Sequence, residues 1–194
     1  MIKSVCVFCG SNVGDKRIYR EMAATVGRRL AALGLTLVYG GGNVGLMGVL
    51  ADAALEAGGE VVGVIPQALV DREVAHAGLT ELIVVQSMHE RKARMADASD
   101  AFVALPGGYG TFDEFCEILT WSQLGLHAKP CGLLNVGSFY DPLLALFDRA
   151  VQDHFLRPEH RDLVIDDTNV DVLLERLVSY RPVTVDKLID RTMR

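Results

Sequence analysis

Short apolar runs alternate with longer helical patterns along almost the whole chain, and that alternation restricts the fold more than any other feature. Ser4–Cys9, Leu35–Tyr39, Glu60–Ile65, Glu81–Val85, Ala101–Leu105 and Cys131–Asn135 read as strands, with Leu163–Ile165 as a short seventh. Several are apolar on both faces, as a parallel sheet covered on both sides requires. Between them Ile18, Met22, Val26 and Leu30 recur every four residues, Leu33 closes the stripe and Gly34 ends it. Further helices are expected over Val44–Ala57, Met88–Ala98, Thr111–Leu124, Asp141–Asp153 and Asp171–Ser179. The expected fold is α/β: one doubly wound parallel sheet with helices on both faces, formed by residues 1–194 as a single domain, with an irregular tail after about residue 180. Ligands of such folds bind at the carboxyl ends of the strands.

Three glycine-rich segments fall at those ends: Cys9-Gly10-Ser11-Asn12, Gly40-Gly41-Gly42-Asn43-Val44-Gly45 and Pro106-Gly107-Gly108-Tyr109-Gly110-Thr111. Each precedes a helix, so backbone N–H groups and the positive end of a helix dipole can converge on an anion. Glycine also favours plain tight turns. Three such loops on one sheet edge nevertheless point to a phosphate-bearing ligand. Gly40-x-Gly42-x-x-Gly45 spells the dinucleotide fingerprint, but it follows the second strand, and the next strand ends Ile65-Pro66-Gln67 without the acid that holds a ribose. Glu60 lies at the wrong end of that strand, and no Walker A pattern exists.

Composition removes other functions. A net charge of −6 argues against a nucleic-acid-binding surface. No apolar run approaches the roughly 18 residues of a membrane span, and the N-terminus lacks a signal-peptide pattern. Cys6 and Cys9 spell CxxC, but three-residue spacing in a strand sends them to opposite faces. The four cysteines are therefore expected as buried thiols in a reducing cytoplasm. His76, His89, His127, His154 and His160 show no ligand spacing, so no metal is expected.

Two helix starts concentrate the remaining polar chemistry: Ser87-Met88-His89-Glu90-Arg91-Lys92 and Thr111-Phe112-Asp113-Glu114. Read alone, Ser87-x-x-Glu90 and Thr111-x-x-Glu114 are capping boxes. Read together with the phosphate loop, Arg91 and Glu114 can divide the labour, the cation for an anion and the carboxylate for a sugar or a water.

Met88-His89-Glu90-Arg91-Lys92 followed by Pro106-Gly107-Gly108-Tyr109-Gly110-Thr111-Phe112-Asp113-Glu114 resembles the paired signature of the LOG (LONELY GUY) family, whose core is PGGxGTxxE. The likeness runs from about Val5 to Leu156. It implies a Rossmann-like, nucleotide-binding homodimer that hydrolyses cytokinin riboside 5′-monophosphates, adenine-type nucleotides, to free base and ribose 5-phosphate, without metal or cofactor. Arg91 and Glu114 match the family's catalytic pair. Lys92, Gly107, Gly108, Tyr109, Gly110, Thr111, Asp113 and Thr120 match its nucleotide-binding positions, and Glu73 matches a further binding acid. Met88, together with Gly10, Ser11, Gly41 and Gly42 of the first two loops, completes the candidate set. Phe112-Asp113 stands where many members have Leu-Glu. Relatives also carry a "lysine decarboxylase" label, but Lys3, Lys16, Lys92, Lys129 and Lys187 show no setting for a pyridoxal Schiff base.

Two rivals remain open at this point. One is a general AMP or nucleotide nucleosidase for salvage. The other is a non-catalytic carrier or sensor, similar to the molybdenum-cofactor carriers, which could keep the glycines without needing Glu114. The helix Thr111–Leu124 is apolar nearly all round, so it is buried either at a subunit interface or in a crowded core.

Overall fold

A computed structural model describes residues 2–72 and 74–182. Seven strands form one sheet: β1 Ser4–Phe8, β2 Thr36–Tyr39, β3 Val61–Pro66, β4 Glu81–Val85, β5 Ala101–Ala104, β6 Cys131–Leu134 and β7 Val164–Asp167. Their order is β4-β3-β2-β1-β5-β6-β7, and every pair is parallel. The chain winds outward from β1 to β4, then crosses back to β5 on the other side of β1. The ends of β1 and β5 thus flank the switch point at which such sheets bind ligands.

The helices are α1 Arg17–Ala32, α2 Gly45–Glu56, α3 Gln67–Val70, α4 Met88–Asp97, α5 Tyr109–Gln123, α6 Asp141–Gln152, α7 Pro158–Arg161 and α8 Val170–Val178. The period-2 pattern of β1 divides two cores. Val5, Val7 and Cys9 join Val26 and Leu30 of α1, Leu50 of α2 and Leu173 of α8 on one face. Cys6 and Phe8 join Met95 of α4, Phe115 and Ile118 of α5, and Tyr140 on the other. Cys6 and Cys9 accordingly lie on opposite faces, and all four cysteines are free thiols. Phe8 and Phe102 stack 6.1 Å apart across β1 and β5. Burial of each such side chain contributes about 2 kcal/mol.

The seventh strand sits one residue later than expected and extends to Asp167. Its polar end still pairs with β6, Leu133 opposite Asp166 and Leu134 opposite Asp167. The short helices α3 and α7 lie in segments whose periodicity is too brief to read. The irregular tail expected after residue 180 falls, from residue 183 on, outside the described residues.

A larger correction concerns α5. It begins at Tyr109, not Thr111, with Gly108 as an extended N-cap residue that makes no side-chain cap bond. Thr111 is therefore inside the first turn and buried, and the Thr111-x-x-Glu114 capping box does not form. Ser87 does cap α4, in a variant of the box in which Glu90 reaches the N–H of Gln86, not that of Ser87. Ser87 Oγ accepts from the Glu90 N–H at 3.1 Å, and Glu90 Oε2 accepts from the Gln86 N–H at 2.8 Å.

Candidate active site

Sheet register brings the three glycine loops together. The Gly10 N–H donates to the Pro106 carbonyl at 3.1 Å, and the Leu46 N–H to the Gly10 carbonyl at 3.0 Å. Both closures need bare glycine. A Cβ on Gly107 would lie 2.1 Å from Thr111 Oγ1, and one on Gly45, where φ is +62°, would lie 2.2 Å from the Ser11 carbonyl carbon. The second loop is roofed by a later segment, since the His76 N–H donates to the Gly41 carbonyl at 2.9 Å and Asn43 N–H to Val74 at 2.9 Å.

These loops border a cleft of about 390 Å³. Gly10, Ser11, Gly42, Gly108, Tyr109, Gly110 and Thr111 line it, with Arg91 and Glu114. At the start of α5 the Phe112 N–H donates to the Gly108 carbonyl at 3.1 Å. The N–H groups of Tyr109, Gly110 and Thr111 precede it, so this end of a 15-residue helix can receive an anion. Tyr109 stands 92% exposed at the rim.

Arg91 and Glu114 come from different helices and are each only 8% exposed. Arg91 Nη1 lies 3.4 Å from Glu114 Oε1. Arg91 Nε donates to the Val64 carbonyl of β3 at 3.0 Å, and Met88 Sδ lies 3.9 Å from Nη1. Burial pushes the Glu114 carboxyl above the ordinary 4.5; Arg91 opposes that without cancelling it, and Asp113 adds to the rise. Such a carboxyl keeps its proton to higher pH than a free glutamate does. Cys9 also lines the cleft, but burial and the Glu114 charge push its thiol far up, so it stays protonated.

Other candidates lie outside the cleft wall. Lys92 Nζ sits 3.0 Å from both Asp113 Oδ2 and Glu117 Oε2, tying α4 to α5 behind Glu114. Burial alone would lower its pKa, but Glu117 and Asp113 raise it, so Lys92 is a fixed cation. Gly107 borders the neighbouring hollow with Tyr19 and Phe139, Gly41 packs on Ile65, and Met88 touches Arg91 from a partly exposed position. Thr120 donates to the Cys116 carbonyl at 2.8 Å and lines a separate groove of 240 Å³ between α5 and α6. Glu73 lies outside the described residues.

The apolar wall of Val44, Met47, Ile65, Leu69 and Val74 was not singled out from sequence. These side chains look like ordinary core residues in a linear reading. Only the second loop's sharp return and α3 bring them to the opening.

A family profile described as "Possible lysine decarboxylase" matches residues 47–177. Rice (Oryza sativa subsp. japonica) "Probable cytokinin riboside 5'-monophosphate phosphoribohydrolase LOGL9" is 52% identical over 181 residues, 93% of this chain and 80% of that protein. Cytokinin riboside 5'-monophosphate phosphoribohydrolase LOG5 of Arabidopsis thaliana is 48% identical over 181 residues, 93% of this chain and 79% of its own. The chain belongs to the LOG family. Among solved structures, the molybdenum cofactor carrier protein of Chlamydomonas reinhardtii superposes with a TM-score of 0.69 at 22% identity, covering 91% of this chain and 98% of that one. At that identity the likeness concerns the fold alone.

The decarboxylase wording of the profile finds no support in this LOG-family cleft. Among the described residues no lysine lines it: Lys3 and Lys16 are exposed, Lys92 is held by two carboxylates, and Lys129 Nζ donates to the Ala96 carbonyl at 2.7 Å. Lys187 falls outside the described residues. No described lysine is therefore placed to form a pyridoxal Schiff base in the cleft. Among the described residues no group of three or more His, Cys, Asp or Glu side chains is arranged to hold a metal ion.

Proposed function

We propose that this chain hydrolyses the N-glycosidic bond of an N6-substituted adenosine 5′-monophosphate, releasing free base and ribose 5-phosphate. One observation carries the reading: a buried carboxyl, Glu114, faces a buried arginine at 3.4 Å in a cleft that also holds a helix N-terminus suited to phosphate. The named activity of relatives about 48% identical over 93% of the chain supports it.

In this mechanism the phosphate docks on the N–H groups of Gly108 to Thr111, and Arg91 anchors phosphate or ribose. Remote binding energy thus places C1′ beside Glu114. As the bond to the base breaks, positive charge builds on the ribose ring, and the Glu114 carboxylate stabilises it or takes the proton of the attacking water. Water supplies the hydroxyl at C1′, and its remaining proton leaves with the base. The wall of Val44, Met47, Ile65, Leu69 and Val74 suits a purine carrying a hydrocarbon on N6 better than a polar ligand. This favours a cytokinin-type substrate over plain AMP.

The working unit in this proposal is a single-domain, metal-free homodimer in the cytoplasm. The apolar groove between α5 and α6, with Phe155 87% exposed on its edge, favours a second copy, and four free thiols suit a reducing compartment.

The test is base release from AMP, isopentenyladenosine monophosphate and isopentenyladenosine, followed by chromatography, with Glu114→Gln as control. Release from the isopentenyl monophosphate, none from the riboside and loss in the variant are expected. Release from the riboside at an equal rate would refute the phosphate's role. Preference for AMP would turn the reading to salvage.

A further inference from the structure

The first glycine of the second loop has a different use from the one its fingerprint suggests. Gly40 follows directly on β2 and lines the cleft. A Cβ built there would lie 1.8 Å from Arg91 Nη2 and 3.0 Å from Arg91 Cζ, with Met47 Sδ next at 3.4 Å. Its two successors meet other neighbours. A Cβ on Gly42 would touch the flexible end of Met47 at 3.0 Å, and one on Gly41 would touch Ile65 at 3.1 Å. Gly41 also has φ +72°, which L side chains rarely adopt, whereas Gly40 is outside that region. The backbone at Gly40 therefore tolerates alanine, and the obstacle is the guanidinium itself.

We propose that Gly40 is a positioning residue for the Arg91–Glu114 pair: the space left by its missing side chain is the slot that seats the Arg91 guanidinium. The inference rests on the reading that this pair serves the hydrolysis. Three contacts then define the guanidinium plane. Nε is tied to the Val64 carbonyl, Nη2 fills the slot over Gly40, and Nη1 is left facing Glu114. Ordinary contact between heavy atoms needs about 3.5 Å, so a methyl at position 40 drives Nη2 away by well over an ångström. The clash falls on the far end of the Arg91 side chain, so it is relieved by moving the guanidinium against its Val64 bond and its Glu114 pairing, not by moving backbone. The charges around Glu114 are Arg91 and Lys92 from α4 and Asp113 and Glu117 from α5, with the Cys6 and Cys9 thiols on the β1 side. Of these, Arg91 alone is among the nearest neighbours a Cβ at position 40 would meet.

The experiment compares Gly40→Ala, Arg91→Ala and the double variant, with isopentenyladenosine monophosphate as substrate. The Glu114 carboxyl is titrated by NMR on glutamate-labelled protein. Gly40→Ala is expected to lower kcat on the order of 100-fold with a smaller change in KM, as an ångström-scale misplacement does. Its melting temperature should stay within about 3 °C of wild type. The Glu114 titration should move upward, as it should in Arg91→Ala, because Arg91 holds it down. In the Arg91→Ala background the same change should add less than about 3-fold, because the group it displaces is gone.

Turnover within about 3-fold of wild type in Gly40→Ala overturns the proposal, and so do penalties that multiply in the double variant. If Gly40→Ala melts much lower, Gly40→Ala with Arg91→Lys decides. Lysine has no Nη2, so recovered melting upholds the slot and failure to recover overturns it. An Arg91→Ala enzyme with wild-type turnover removes the functional reading instead. The Glu114 titration then still judges Gly40, since an upward shift in Gly40→Ala upholds the seating of Arg91 and no shift overturns it.

Discussion

Glu114 is held between two opposing influences. Burial disfavours its charge, and Arg91 favours it; burial prevails, so its pKa lies above the ordinary 4.5. The sign of the stability effect follows. The folded state binds the proton more tightly than the unfolded chain, so Glu114 contributes stability fully below about pH 4.5, and that contribution is lost as pH rises through the elevated folded value. Glu114→Gln should therefore be more resistant to denaturant than wild type at pH 7, with the gap closing near pH 4, as paired urea titrations would reveal. The same variant should lose on the order of 1000-fold in kcat. Arg91→Ala should raise the Glu114 pKa further and move the acid limb of the pH–rate profile upward; an unmoved limb would mean that the pair does not act together. Both residues were legible in the sequence through their motif spacing. Their mutual contact was not, because Thr111-x-x-Glu114 reads equally well as a capping box. The choice depends on where α5 begins, and Gly108 moves that start two residues upstream.

Among the elements, α4 and α5 present the pair, and what fixes their starts fixes the site. The Ser87 capping box anchors α4 just before Arg91. Ser87→Ala should cost about 1 kcal/mol, seen as a melting point lower by roughly 2–4 °C. At the far end of α4, Asp100 closes the turn into β5. It accepts from the N–H groups of Lys3 at 2.7 Å and Ser4 at 3.2 Å, across the sheet to β1. Burial acts to raise its pKa, yet these N–H groups hold it below 3.8, so the stability it adds is present above that value and is lost as pH falls through the depressed one. Asp100→Ala should cost about 2 kcal/mol at pH 7 and progressively less as the pH falls below 3.8, by calorimetry across that range. The strands were readable because β1 to β3 and β5 to β6 are apolar, bounded by glycine and proline. The short helices α3 and α7 were not, since four residues cannot display a 3.6-residue period.

For the whole molecule, the doubly wound parallel sheet carries most of the fold and was foreseen from strand–helix alternation; the order of its strands was not. The outer surface was less readable. The helix α5 is buried along Thr111, Glu114, Phe115 and Ile118, but Leu124 is exposed, and the groove beside α6 holds Thr120, Phe147 and Phe155. Sequence reasoning could not divide an all-apolar helix between a core and a second surface. If the groove seats a second copy, Phe155→Asp should halve the mass seen in sedimentation at micromolar protein without changing the far-UV circular dichroism. An unchanged mass would place the interface elsewhere.

The bond from Arg91 Nε to the Val64 carbonyl reaches beyond chemistry. It makes a side chain assigned to turnover also a strut between α4 and the middle of β3. A variant at position 91 would thus forfeit a buried hydrogen bond and leave Glu114 without its counter-ion in the same stroke. Replacing this arginine to suit another substrate would therefore cost stability as well as activity. A substitution in the wall formed by Val44, Met47, Leu69 and Val74, by contrast, would alter what fits while leaving that strut in place.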